Sequence, residues 1–340
     1  MRRRDFIAGL GSAAGWPLGA GAQQPQVVGF IALGNRHERI VAAFRRGLKE
    51  TGFIEGQNVV VEYRFAENRV DRVREIAAEL VGRNVAAIAT IGGPAAEAVR
   101  AATSRIPIVF GMGSNPALTG FVASLARPGG NLTGVNSFIA ELLSKQIDLI
   151  VELVPNSRVL GILVADGSSL EQLRQDVQPR ADAIGRKLLI RTATTPQELD
   201  KGFAMLAEQG VEALVVRASP LTYDQREQIA DLAAHYSIPT VYPFRENAEA
   251  GGLMSYGVNI DESARQVGIY VGRVLKGVHR KNGQETFRYV QPRTFRNSAN
   301  RFGHRSGLNP PAAPPCAARQ QCARHPWGPC RRKYACIFQS

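Results

Sequence analysis

Val28-Gly29-Phe30-Ile31-Ala32-Leu33-Gly34 and Leu160-Gly161-Ile162-Leu163-Val164-Ala165-Asp166 are two versions of one motif, 132 residues apart. Asn84-Val85-Ala86-Ala87-Ile88-Ala89-Thr90-Ile91-Gly92-Gly93-Pro94 is echoed by Gly210-Val211-Glu212-Ala213-Leu214-Val215-Val216-Arg217-Ala218-Ser219-Pro220. Arg105-Ile106-Pro107-Ile108-Val109-Phe110 is echoed by Ser237-Ile238-Pro239-Thr240-Val241-Tyr242, again 132 residues on. A short apolar run closed by Gly, Asp, Ser or Pro is the pattern of a parallel strand buried on both faces. Three echoes in one order predict two similar α/β lobes. Lobes that face each other enclose a cleft, and such clefts take small ligands.

Between the runs, the apolar spacing changes to that of helices. Ile40, Val41, Phe44 and Leu48 form one stripe, and Val73, Ile76, Ala77, Leu80 and Val81 another. In the first half the pattern predicts strands at 27–33, 59–63, 85–91 and 106–110, with helices at 95–102 and 117–125 and a link at 131–136. In the second half it predicts strands at 159–164, 188–191, 213–217 and 239–242. Helices fall at 170–184, capped by Ser168, then at 224–236 and 262–275, with another opening at Thr195-Pro196-Gln197-Glu198, a capping box with Pro at the first helical position. Strict strand–helix alternation means parallel sheets with crossover helices. The expected fold is therefore α/β: two similar three-layer αβα lobes joined by a hinge. The last helix is expected to return to the first lobe. That gives 23–135 plus 258–280 as lobe 1 and 136–257 plus 281–292 as lobe 2.

The formal charge of +13 is concentrated at the ends. Residues 2–5 carry +2 and residues 293–340 carry +9, which leaves +2 on the body from 23 to 292. A near-neutral body with mixed charges does not read as a nucleic-acid surface. Residues 1–22 hold paired arginines before Asp5-Phe6-Ile7, a short Gly/Ala-rich run, and Ala20-Gly21-Ala22. This is the pattern of a twin-arginine-like export signal, and its apolar run is too short to span a bilayer. With no Cys near Ala22, the expectation is a soluble periplasmic protein rather than a lipoprotein. All four cysteines (Cys316, Cys322, Cys330 and Cys336) lie in the tail at no zinc-like spacing, so the body has no thiol chemistry. The tail holds six prolines, nine basic residues and no acid. A disordered basic tail is the plain reading. A GC-rich gene read out of frame beyond Pro292 gives the same composition, and the nucleotide sequence decides between the two.

In open parallel sheets, ligands sit beyond the carboxyl ends of the strands. Those ends supply the candidate ligand-binding residues: Asn35, Gly93, Pro94, Ser114, Asn115, Phe138, Asp166, Arg217, Ser219, Tyr242, Phe244 and Tyr256. Small residues ahead of helices aim backbone N–H groups at an anion such as a carboxylate. Each candidate has a structural alternative. Asn115 can stabilise a turn before Pro116, and Ser114 shares that alternative. Tyr242 and Phe244 can stack on a ligand or pack a core. Phe138 and Tyr256 fall where the chain crosses between lobes and can be hinge packing. Arg217 can clamp a carboxylate or pair with a nearby acid, and Asp166 can bind a ligand or cap a helix. No catalytic residue, metal site or cofactor is expected. Gly111-Met112-Gly113-Ser114-Asn115-Pro116 only half matches a dinucleotide loop, because Pro116 interrupts it. His37, His235 and His279 belong to no constellation.

Several segments together resemble the periplasmic substrate-binding proteins of ABC transporters, type I fold, in the branch with tryptophan or amino-acid ligands. They are Arg3-Arg4-Asp5-Phe6-Ile7-Ala8-Gly9, Phe44-Arg45-Arg46-Gly47-Leu48, Gly52-Phe53-Ile54-Glu55-Gly56-Gln57-Asn58, Ile106-Pro107-Ile108-Val109-Phe110, Leu125-Ala126-Arg127-Pro128-Gly129-Gly130-Asn131-Leu132-Thr133-Gly134, Leu153-Val154-Pro155 and Gly251–Gly257. The resemblance covers residues 1–292. It implies a monomeric, non-enzymatic protein that captures a small ligand and hands it to an ABC permease and ATPase. It also implies an apolar strand and helix after Gln291-Pro292, which this chain lacks. Members often carry Asp where this chain has Asn115, and an amide pairs less strongly with a ligand ammonium group. The rival readings are a sensor or co-receptor, or an enzyme, on the same two-lobe fold. A sugar-responsive repressor would need a helix-turn-helix where the export signal stands.

Overall fold

The computed structural model describes residues 25–125, 128–165 and 170–277. The expected export signal at 1–22, Asp166, the expected cap Ser168, the 281–292 segment and the basic tail lie outside them. The first lobe runs β1 (Gln26–Ala32), α1 (Glu38–Glu50), β2 (Val59–Phe65), α2 (Val70–Gly82), β3 (Ala87–Ile91), α3 (Gly93–Ala102), β4 (Ile108–Met112) and β5 (Leu132–Asn136). After a 3₁₀ turn at Ile139–Leu142, the second lobe runs α4 (Leu143–Leu153), β6 (Val159–Val164), α5 (Leu170–Ala183), β7 (Lys187–Thr192), α6 (Pro196–Glu208) and β8 (Ala213–Val216). It continues through α7 (Pro220–Asp224), α8 (Arg226–His235), β9 (Thr240–Tyr242), α9 (Arg245–Glu249) and β10 (Met254–Ser255), and α10 (Ile260–Leu275) follows.

Each sheet has five parallel strands, ordered β2-β1-β3-β4-β5 and β7-β6-β8-β9-β10. Counted from its own first strand, the second order repeats the first, so the sequence echoes are equivalent strands. Both faces of each sheet are covered. Val28, Phe30 and Ala32 of β1 pack with α1 and α10, while Ile31 and Leu33 point to α2 and α3. In lobe 2, Leu160, Ile162 and Val164 meet α4 and α5, while Leu163 and Leu214 meet α6 and α8. Burying one such side chain contributes about 2 kcal/mol, which explains why these strands are apolar throughout.

The last helix, α10, packs on α1 and on β3, β4 and β5 of lobe 1. The crossing is close because glycines face it. A Cβ at Gly47 would stand 1.9 Å from the Arg265 carbonyl oxygen, and one at Gly268 would stand 2.2 Å from that of Phe44.

The local expectations need four adjustments. Residues 117–125 form turns, not a helix. The Phe121 and Val122 N–H groups both converge on the Pro116 carbonyl, at 2.8 and 3.1 Å, and Gly120 takes φ +68°. The apolar spacing there marks the burial of Phe121 and Val122. The helix expected at 224–236 is α8, Arg226–His235, and a further short helix, α7, precedes it across a break at Gln225. Residues 132–136 are not only a link but the fifth strand of sheet one. At α6, Thr195 Oγ1 accepts the Glu198 N–H at 3.3 Å, but the Glu198 carboxylate turns one residue further, to the Thr194 N–H at 2.7 Å.

Candidate functional site

The loops beyond the carboxyl ends of the two sheets meet each other. Gly34–His37 after β1 and Asn68 after β2 touch α7, which follows β8. The chain crosses between lobes at Asn136–Ile139 and at Tyr256–Asn259. The buried Asn136 holds the first crossing: its Nδ2 donates to the Ser114 carbonyl at 2.9 Å, and its Oδ1 accepts the Phe138 N–H at 2.7 Å. Phe138 takes φ +45°, a left-handed turn that a bulky residue adopts only under constraint. Gln146 Nε2 donates to the Tyr256 carbonyl at 2.6 Å, tying the second crossing to α4 beside the first.

The candidate residues divide into three groups. Gly93, Pro94, Ser114, Phe138 and Tyr256 sit just past the carboxyl ends of β3, β4, β5 and β10. Gly92 turns at φ +98° to start α3, and nothing lies within 4 Å of where a Cβ would stand on Gly92 or Gly93. The α3 N-terminus therefore faces open space, and its backbone N–H groups suit an anion. The second group does structural work. Asn115 Oδ1 accepts the Ala117 N–H at 3.1 Å, which is the turn role. The Ser219 hydroxyl caps α7 in a reciprocal box with Thr222. Tyr242 is 1% exposed inside the lobe-2 core, and its carbonyl accepts the Tyr256 N–H at 2.9 Å. Arg217 follows β8, with its N–H on the Leu163 carbonyl and its own carbonyl accepting from Thr222 Oγ1. The third group joins the lobes. Phe244 is buried in the lobe-1 cluster, and the Asn35 N–H donates to Asp224 at 2.9 Å. Asp166 lies outside the described residues.

The sequence reading missed the residues that make the lobe-to-lobe contact. Asp224 of α7 meets His37 and Asn68, and Tyr223 packs edge-on against His37, ring centres 4.8 Å apart, and against Phe244 at 5.3 Å. Beside them, Arg39 reaches Glu246 at 3.5 Å, Glu249 at 3.4 Å and Asp261 at 3.0 Å. Burial, reinforced by the nearby Glu246 and Asp261 charges, pushes the Tyr223 phenol above its ordinary range. Burial likewise pushes the Glu246 carboxyl up, and Arg39 offsets part of that. No sequence signal marks the lobe-to-lobe contacts, because the partners lie up to 210 residues apart.

A groove of about 560 Å³ opens elsewhere, along the outer edge of β2, lined by Asn35, Arg36, Tyr63, Phe65 and α2 residues. Its lining carries two ion pairs, Arg72 with Glu67 at 2.9 Å and Arg64 with Glu79 at 3.3 Å. Among the described residues, no cluster of His, Cys, Asp and Glu could hold a metal ion, and no helix is long and apolar enough to cross a membrane.

A profile of the family described as ABC transporter substrate binding protein matches residues 27–291. A tyrosine-binding protein of Clostridioides difficile (strain R20291) is 23% identical over 235 residues, covering 69% of this chain and 67% of that protein. A conserved domain protein from Vibrio cholerae superposes with a TM-score of 0.66 at 25% identity, covering 75% of this chain and 86% of that one. An ABC domain from Streptococcus pneumonia in complex with L-Trp superposes at 0.68 with 20% identity, covering 79% and 90%.

Proposed function

The chain belongs to the family of ABC transporter substrate-binding proteins, and on that premise we propose that it closes two lobes on an amino acid and delivers it to an ABC permease and its ATPase. The family and the curated relative are substrate-binding proteins, not enzymes. The observation that carries the reading is that the loops beyond the carboxyl ends of the two parallel sheets meet, Asn35, His37 and Asn68 on Asp224, with the α3 N-terminus among the loops of the first sheet. Backbone N–H groups at Gly93 and beyond would hold a ligand carboxylate. Phe138 and Tyr256 at the crossings would flank its side chain, and Ser114, Asn115 and Arg217 would supply polar contacts. Asn35, Pro94, Ser219, Tyr242 and Phe244 would shape the walls. A tyrosine-binding relative and a neighbour solved with L-Trp support an aromatic amino acid, or a similar amphipathic carboxylate, as the ligand. We assign 25–135 plus 258–277 to lobe 1 and 136–257 to lobe 2. The first 22 residues direct export to the periplasm, where the protein acts as a soluble monomer.

The test is a thermal-shift panel of L-tryptophan, L-tyrosine, L-leucine, simple sugars and aromatic acids. A ligand that binds only the folded state stabilises it by about 2.7 kcal/mol at one hundred times its Kd. L-tryptophan or L-tyrosine should raise the Tm by several degrees. A shift with a sugar alone, or turnover of any compound, would overturn the reading.

A further inference from the structure

His37 stands at the N-cap of α1, yet its side chain makes no capping hydrogen bond. The anion at that helix end comes from the other lobe. Asp224, the last residue of α7, has a side chain only 2% exposed. It accepts the Asn35 backbone N–H at 2.9 Å and the Asn68 amide at 2.8 Å, and it lies 2.5 Å from His37 Nε2. All three partners belong to lobe 1. A carboxylate at a helix N-terminus is favoured by the helix dipole.

The surroundings are shaped for this contact. The Ser219–Thr222 capping box fixes the start of α7. Gly34 leaves room for its end, since a Cβ there would stand 3.2 Å from both the Asp224 carboxylate and Pro220. Tyr223, 5% exposed, is seated in the lobe-1 apolar cluster although it belongs to lobe 2. A buried carboxylate stripped of its donors is strongly unfavourable, so Asp224 is compatible with closed lobes only when all three partners are in register.

We propose that Asp224 is an interlobe latch: a positioning residue that sets ligand affinity through the closed state without touching the ligand. The proposal rests on the clamp reading above. Ligand enters the open form, and a liganded molecule must reopen to release it, so apparent affinity scales with the fraction of liganded molecules that are closed. The latch raises that fraction, and its donors are met only on closure. In the open form the carboxylate returns to water, where it needs no partner, so the latch favours closure without preventing release.

A double-mutant cycle tests this with Asp224→Ala and Asn68→Gly. Glycine keeps the left-handed backbone of Asn68, φ +64°, while removing its amide. Lobe separation is read without ligand, by energy transfer between dyes on unnatural residues at the exposed positions Arg74 and Lys201. Dissociation of L-tryptophan is read by stopped flow. Asp224→Ala should shift the ligand-free chain towards the separated form and speed dissociation about tenfold, with association changed less than about twofold. Asn68→Gly should do the same more weakly, and the double variant should be no worse than Asp224→Ala alone. Strictly additive effects, or a ligand-free separation unchanged by Asp224→Ala, would overturn the latch. Should L-tryptophan fail to bind the unaltered chain, the ligand reading falls while the separation measurement still decides the latch. Should Asp224→Ala fail to fold, Asn68→Gly paired with His37→Gln at the partly exposed His37 carries the same cycle.

Discussion

Helix α1 is gripped at both ends, and the two grips are made of opposite materials. Its C-terminal half lies against α10 through Phe44, Gly47 and Leu48 facing Ala264, Val267, Gly268 and Val271, nearly all buried and apolar. Its N-terminal turn meets lobe 2 through His37 and Arg39, which face Asp224, Glu246 and Glu249. The first joint lies within one lobe and has no reason to open, so it excludes water and brings backbones together at glycines. The second joins parts that must separate. Groups there are satisfied by water when apart, in keeping with the more polar character of interdomain contacts. Tyr223 and Phe244 add a small apolar plug, enough to register the lobes.

The comparison is broken most severely at the permanent joint. Gly268→Ala places a methyl group 2.2 Å from the Phe44 carbonyl oxygen, a backbone atom that cannot move aside. Overpacking of this kind costs about 3 kcal/mol. Chemical denaturation should show that loss with or without ligand, because the joint stays closed in both lobe arrangements. A variant as stable as the parent would mean that the two helices are not in contact in solution. Ser219→Ala comes next. It removes the N-cap of α7 and should cost about 1 kcal/mol. Because α7 carries Tyr223 and Asp224, the variant should also weaken ligand retention, which calorimetry with L-tryptophan would record. A stability loss with no change in affinity would separate α7 from closure and count against the latch.

The sequence made the permanent architecture readable and left the separable joint unreadable, for a physical reason. Strands buried on both faces impose apolar runs such as Val28–Leu33 and Leu160–Val164, and their repetition placed the two sheets. Helix α1 announced its buried face through Ile40, Val41, Phe44 and Leu48. A contact such as His37–Asp224, 187 residues apart, imposes no periodicity on either partner. His37 therefore read as a histidine without company. Ser219 is a candidate ligand contact because it follows the β8 run, and the structure also gives its hydroxyl the capping box with Thr222. Asn115 was read from its neighbours alone, and its oxygen proved to be engaged by the Ala117 N–H. What the sequence encodes locally is burial. What it does not display is which exposed polar groups meet across a cleft.

The smallest effect concerns the sign of a single charge at the separable joint. The Glu246 side chain is 11% exposed, with Arg39 at 3.5 Å. Burial raises its pKa most, Arg39 opposes that, and the Asp261 and Glu249 charges add to the rise. A carboxyl whose folded pKa is raised binds its proton more tightly in the folded form. Its contribution is full below the ordinary Glu value of about 4.3 and is lost as pH climbs through the raised folded value. Glu246→Gln removes the charge at every pH. The variant should match the parent near pH 4 and exceed it at neutral pH, by about 1–2 °C in Tm, consistent with less than 1 kcal/mol in a chain of this size. The opposite sign at neutral pH would mean that Arg39 outweighs burial, so that the charged pair favours closure. Scanning Tm against pH for both chains decides whether this joint tolerates its charges or depends on them.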